Sequence, residues 1–341
     1  MRFVFPILTL CKGGAQRMLA EITNGLSDRG HEVTIVMPRH GDVEYPVRSR
    51  LHRTDKTVLM ESDFPYADFI ISNFFTTVPI AQEASLAGKG RHVRLSLCYE
   101  PIFLSDQHIT FPSYNVTKDI FVLSEYQKEL IAINHGIQAK IIPVGVSDLF
   151  HNKNLRQGNA ALTISAVLRR PEGGHSWQRN QDELVETLTN IKAGYPYVQV
   201  NCIVPANEYR LSAQLKKIMK LGLFNLQCPT TDEQLSDLYN RTDIFVSSSI
   251  HESALLPPLE AMKCGAAVAA YYAGGNKGYC RHEDTALTSF AYERNLYDHI
   301  ARLILDKELR ERIALAGHAE SLKWTWDRSV NRFLEEIEHL S

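Results

Sequence analysis

The sequence predicts an α/β protein of two Rossmann-like, doubly wound domains, and three observations carry that prediction. The chain has 341 residues, which is long for one typical domain and suits two of roughly 150–170. Residues 3–37 run as an apolar strand, a Gly-Gly turn, an amphipathic helix and a second strand. The same order of strand, loop, helix and strand returns over residues 242–276.

Taken in order, Phe3–Leu8 reads as the first strand and Gly13-Gly14 as a tight turn. A helix follows over 15–29 with Met18, Leu19, Ile22 and Leu26 on one face, and Gly30 ends it before a strand at 33–37. Residues 40–62 alternate apolar and basic positions and are read as short strands. Strands are expected at 68–72, 93–97, 120–123 and 141–146, with helices at 77–87 and after the cap residue Ser124. The polar stretch 148–160 reads as a flexible interdomain linker.

A strand at 161–168 opens the second half, followed by a loop rich in Arg and Gly (169–180) and a helix from Asp182. A strand at 198–204, one helix over 208–221 and another over 231–239 lead to the 242–276 stretch. There Asp243–Val246 is a strand and Ser247–Ser249 a polar loop. Pro257 and Pro258 suit a helix's first turn, where a missing N–H costs nothing, and Gly265 suits its C-terminal stop. The next strand is 266–272, ending at Gly274-Gly275. A polar turn then leads to helices at 292–305, 306–322 and 326–340.

Two carboxylates flank the loop of this stretch: Glu252 after the strand and Glu260, placed in the first turn of the helix. In an open parallel sheet ligands bind at the carboxyl ends of strands, and a helix N-terminus attracts phosphate. Carboxylates beside such an anion site accept hydrogen bonds from sugar hydroxyls, so the stretch fits a sugar nucleotide.

Glu252, seven residues, Glu260, then Ala261-Met262-Lys263-Cys264-Gly265 and Gly274-Gly275 resemble the signature of the family-4 retaining glycosyltransferases. The resemblance implies the GT-B fold, two Rossmann-like doubly wound domains facing each other across a cleft. It implies an acceptor-side domain at 1–150, a donor-side domain at 151–325, and a terminal helix, 326–341, packing back on the first domain. It further implies Glu252 near the donor sugar, Glu260 on the nucleotide ribose, and the backbone of Ser253, Ala254, Leu255 and Leu256 against sugar and diphosphate. Arg170 and Arg179, with Arg169 as an alternative for the first, stand where the family neutralises the diphosphate. Gly13-Gly14 resembles the family's donor-approaching loop.

The chain departs from the family at two places. Tyr99-Glu100-Pro101 stands where many members have His and an acid, and the triplet resembles the rhamnosyltransferase-like subgroup, pointing to a 6-deoxy donor. Tyr99 and Glu100 are accordingly acceptor-side candidates. The loop glycines are replaced by Ser253 and Leu255, and because Leu resists positive φ the loop backbone is expected to differ there.

The expected activity is metal-independent transfer of a hexosyl or deoxyhexosyl group from a UDP-, GDP- or dTDP-sugar to a glycan, lipid-linked or small-molecule acceptor in glycoconjugate biosynthesis, without a cofactor. A non-catalytic transferase-like partner subunit and a GT-B sugar-nucleotide epimerase stay open as alternatives. There is no Asp-x-Asp, clustered-His, Gly-x-Gly-x-x-Gly or Gly-x-Ser-x-Gly motif, which weighs against a metal site, a nicotinamide enzyme and a serine hydrolase. A net charge of −2 argues against general nucleic-acid binding, and six scattered cysteines suit a reduced, cytoplasmic setting. No apolar run approaches the ~18 residues of a membrane span, leaving peripheral contact with an inner membrane face as the only expected membrane role.

Overall fold

The computed structural model describes every residue except Asn159, Ala160, His175 and Ser341. The chain divides into two compact units, one of residues 1–145 with 325–341 and one of residues 146–324. Each is a fully parallel sheet flanked by helices.

The first unit contains β1 (Arg2–Pro6), α1 (Gly14–Asp28), β2 (Glu32–Met37), β3 (Arg50–Arg53), β4 (Phe69–Ser72), α2 (Thr77–Leu86), β5 (Arg91–Leu95), α3 (Glu100–Phe103), α4 (Gln107–Thr110), β6 (Ile120–Val122), α5 (Glu125–His135) and β7 (Lys140–Ile141). Its strand order is β3-β2-β1-β4-β5-β6-β7. The chain winds outward from β1 in one direction and then, through β4, in the other, so the order reverses between β1 and β4. Buried runs such as Phe3, Val4 and Phe5 form strands because both sheet faces are covered by helices.

The second unit contains β8 (Thr163–Val167), α6 (Gln181–Gly194), β9 (Gln199–Ile203), α7 (Ala206–Leu211), α8 (Ala213–Met219), β10 (Asn225–Gln227), α9 (Asp232–Asn240), β11 (Ile244–Ser247), α10 (Leu256–Lys263), β12 (Ala267–Tyr271), β13 (Leu287–Ser289), α11 (Leu296–Leu305) and α12 (Lys307–Ser321). Its order, β10-β9-β8-β11-β12-β13, reverses between β8 and β11. Ile164, Val200, Ile244, Val246 and Ala269 of the sheet meet Leu184, Leu188, Ile300 and Ile313 of the helices in one core.

The last helix, α13 (Trp326–Glu338), belongs to the first unit. Phe333 is fully buried there against the rings of Phe3, Phe5 and Phe121. Burying such a ring stabilises by about 1.5–3 kcal/mol. Arg29, just past α1, fixes the helix further by donating to Asp327 and Asn331. No helix among the described residues is long and apolar enough to cross a membrane.

Several sequence expectations need correction. The stretch 148–160 is not a loose linker over its described residues. Phe150 is 3% exposed against Tyr239, Lys153 pairs with Asp237, and Arg156 donates to the carbonyls of Thr242 and Cys264. The single helix expected over 208–221 breaks at Ser212, which is extended (φ −95°, ψ 118°) and caps α8 through its hydroxyl. A Ser side chain competes for backbone N–H groups in this way. Residues 40–62 form one strand, β3, rather than several, and 141–146 contributes only the start of its expected strand. The two short edge strands β10 and β13 lie where the sequence shows a loop and a polar turn.

Candidate functional site

The order reversal between β8 and β11 is the topological switch point of the second unit. Open α/β sheets bind ligands there, outside the carboxyl ends of the strands. The loop after β8 holds Arg169, Arg170 and Arg179, and the loop after β11 holds Glu252 and leads into α10 with Glu260.

The two loops are bonded to each other. The Ser248 hydroxyl donates to the Arg179 carbonyl (2.6 Å) and the Ile250 N–H to the Gln178 carbonyl (2.8 Å). The β11 loop is also tied to the end of β12. Glu252 N–H donates to Ala273 O (2.7 Å), and Gly275 N–H donates to Glu252 O (2.8 Å). Gly275 is required by closeness alone, since a Cβ there would lie 2.2 Å from the Ser253 carbonyl and 2.4 Å from the Ala254 nitrogen.

Leu255 corrects an expectation. It caps α10 in the left-handed region (φ 63°, ψ 75°), a conformation that leucine resists and that the loop is expected to avoid by a different backbone course. Such strain costs of order 1–3 kcal/mol and persists only where surroundings over-determine it. Here the Leu255 side chain is 5% exposed, and the buried Tyr279 hydroxyl donates to its carbonyl. Pro257 and Pro258 then occupy the first turn of α10, and Gly265, at φ 84°, closes the helix end. The helix starts at Leu256, so Glu260 lies one residue past the first turn instead of within it. Glu260 hydrogen-bonds the buried Tyr239 phenol, whose pKa is raised by burial and then by the Glu260 charge.

Glu252 carries the main electrostatic tension. Its Oε1 is buried without a hydrogen-bond partner among the described residues and stands 3.6 Å from Arg179 Nη2. Burial raises its pKa, while the charges of Arg179 and Arg169 oppose that shift. Arg179, Ser247–Ser249, Leu255 and Pro257 line a small pocket with room for about 10 Å³, the scale of one water or one phosphate oxygen.

The three arginines have different settings. Arg169 is spoken for: its Nε donates to both oxygens of Glu208, at 2.8 and 3.0 Å, and Nη2 adds a further contact. Arg170 is 42% exposed and reaches Glu172 only at 3.8 Å. Glu172 anchors the same loop to the start of α8 by accepting from Gln214 N–H and the Ser212 hydroxyl. These bonds hold its pKa down at about 2. Motif reasoning does not reach Glu208 and Tyr239, because each is the counterpart of a motif residue that lies far from it in sequence, and it does not reach Glu172, whose hydrogen-bond partners Ser212 and Gln214 lie 40 positions or more away.

The remaining candidates lie in the first unit. Gly13 precedes α1 and exchanges hydrogen bonds with the Tyr45 hydroxyl, and Gly14 is the first residue of α1. Tyr99 and Glu100, expected on the acceptor side, are interior residues. They are 3% and 1% exposed, and Glu100 holds the fully buried Arg94 through both carboxylate oxygens (3.0 and 2.9 Å). The Tyr114 hydroxyl also donates to Glu100, and the Arg94 guanidinium lies 3.5 Å over the Tyr114 ring. The Tyr99 hydroxyl bonds His135. Glu100 therefore acts as a buried counter-ion. Among the described residues no group of three or more His, Cys, Asp or Glu is arranged to hold a metal ion.

Residues 173–319 match the family model described as Glycosyl transferases group 1. The matched span includes Arg179, Glu252 and Glu260 and stops short of Arg169 and Arg170. D-inositol 3-phosphate glycosyltransferase of Salinispora arenicola (strain CNS-205) is 30% identical over 108 residues, 31% of this chain and 24% of that protein. The chain thus aligns with about a quarter of that relative's length. The fold matches sucrose-phosphate synthase from Thermosynechococcus elongatus, with a TM-score of 0.81 over 100% of this chain and 99% of that one at 16% identity. It also matches Anabaena HepE solved with UDP-glucose, with a TM-score of 0.77 over 99% and 100% of the two chains at 18% identity. The chain accordingly has the two Rossmann-like domains of a GT-B-like fold, and its residues 173–319 are similar to the glycosyl transferases of group 1.

Proposed function

We propose that the chain is a retaining glycosyltransferase that moves a sugar from a nucleoside-diphosphate sugar to an acceptor hydroxyl, in the manner of family 4. The observation that carries this reading is the pairing of Arg179 with Glu252 at the β8/β11 switch point, beside the start of α10 and with Glu260 on the same helix. Neighbouring folds that hold UDP and UDP-glucose support the donor class.

In this reading Arg179 and the exposed Arg170 neutralise the departing diphosphate, and the N-terminus of α10 adds partial positive charge. Arg169 positions the loop by its bond to Glu208. Glu260 accepts from the ribose and Glu252 from the sugar. The C1–O bond to the diphosphate breaks as the bond from C1 to the acceptor oxygen forms on the same face. The acceptor's proton passes to the leaving phosphate oxygen, so no protein base and no metal is required.

Release of nucleoside diphosphate from UDP-glucose, GDP-mannose and dTDP-rhamnose tests the reading. One donor is expected to turn over with retained anomeric configuration by NMR, and Arg179→Ala to lower kcat/KM about 100-fold. Inversion, or no turnover of any donor by folded protein, would overturn it.

A further inference from the structure

The carboxyl edge of the second unit's sheet continues past the site into an aromatic ledge with no assigned role. Tyr272 directly follows β12, and Phe290 directly follows β13. The Tyr272 N–H donates to the Ser289 carbonyl (2.9 Å), which brings the two rings to 5.2 Å between centroids. Phe290 and Tyr292 stack 5.5 Å apart and within 10° of parallel, and they are 42% and 80% exposed. The Lys277 ammonium sits 5.9 Å from the Tyr272 ring centre. The turn is pinned by the Glu293 carboxylate, which accepts from Phe290 N–H (2.8 Å).

We infer that this ledge is a carbohydrate subsite on which one pyranose ring of the acceptor stacks. A flat aromatic face carries negative charge density, and the C–H groups on one face of a pyranose present positive density to it. Phenol hydroxyls and the lysine ammonium around the rings offer bonds to ring hydroxyls or to an acidic substituent.

Size decides against a protein partner. Three aromatic rings bury at most about 150–250 Å² each, already partly covered here, whereas a stable protein interface needs about 800 Å² per partner. Position ties the ledge to the site, because Ala273, the neighbour of Tyr272, accepts the Glu252 N–H. The inference rests on the transferase reading above, and it places part of acceptor recognition on the unit that carries the donor residues.

Saturation-transfer NMR on the full chain, with α-mannotriose, maltotriose, cellotriose and chitotriose as probes, tests it. Saturation is expected to reach the C–H face of one ring of at least one probe. Phe290→Ala/Tyr292→Ala should bind that probe about tenfold more weakly, while Tyr292→Phe, which keeps the face, should bind like the parent. No transfer to any probe, or transfer unchanged in the double variant, overturns the subsite. So does a dimer in solution that the double variant dissolves, since a second copy would then cover the ledge. UDP-induced thermal stabilisation is read on the same samples. Stabilised protein without sugar contacts sinks the ledge alone, and protein indifferent to every nucleotide sinks the transferase reading.

Discussion

Arg179 Nη2 and Glu252 Oε1 stand 3.6 Å apart, within ion-pair reach and beyond hydrogen-bond length. Two loops from different strands bring them together, and Glu252 Oε1 accepts no hydrogen bond from the described residues. The pair is therefore poised to reorganise when a ligand supplies a hydroxyl to the acid and a phosphate to the base.

The first prediction concerns pH. Burial first, against the charges of Arg179 and Arg169, raises the Glu252 pKa above its ordinary 4.5. The folded state then holds this proton more tightly than the unfolded chain. Its contribution is fully present below the ordinary value and is lost as pH rises through the raised one. Thermal melts across that range should show Glu252→Gln gaining on the parent as pH increases. Parallel curves would contradict the assignment.

Gly275→Ala should be strongly destabilising to the site. The new Cβ would meet backbone atoms of Ser253 and Ala254 at 2.2–2.4 Å, which cannot swing away as a side-chain tip can. A loss of about 1–3 kcal/mol in urea unfolding is expected, with weaker nucleotide binding. A variant with parent stability and parent binding would show that the loop is free to shift.

The buried pair of Arg94 and Glu100 yields a stability prediction separate from the site. Both side chains are at most 1% exposed, so Arg94→Met strands a carboxylate in the interior and should cost about 3–5 kcal/mol. Arg94→Met/Glu100→Gln should recover a large part of that loss in the same denaturation assay. If instead the double variant is as unstable as the sum of the singles, the carboxylate is not the source of the cost.

Arg169 is expected to behave as a positioning residue. A double-mutant cycle with Glu208 should give a coupling of about 1–3 kcal/mol in stability, reflecting its fork contact. A cycle that closes with no coupling would return Arg169 to direct contact with the diphosphate.

Metal removal supplies a further check on the proposed chemistry. Transfer should proceed unchanged in EDTA, because in the proposed mechanism arginine and the start of α10 stand in for a cation at the diphosphate. Loss of turnover in EDTA that is restored by magnesium would contradict that role.

The central stretch was legible because its signals reinforce one another. Two prolines, a terminal glycine and flanking apolar runs all specify strand, loop, helix and strand, and β11, α10 and β12 lie within a residue or two of those expectations. Partnerships across the fold were not legible. Nothing in Tyr-Glu-Pro reveals that Arg94, on the preceding strand, turns Glu100 inward. Leu255 departs from expectation because propensity disfavours what a buried side chain and the Tyr279 hydroxyl together enforce. The short strand β10, Asn225–Gln227, is held by pairing to β9 and lacks an apolar pattern of its own.

The most direct test is thermal unfolding of the parent and Glu260→Ala with UDP, GDP and dTDP. The account predicts stabilisation of the parent by one of the three, about 2.7 kcal/mol at a hundredfold excess over Kd, and a much smaller response in the variant. No response to any of them from well-folded parent protein would contradict a nucleotide site at the β8/β11 switch point.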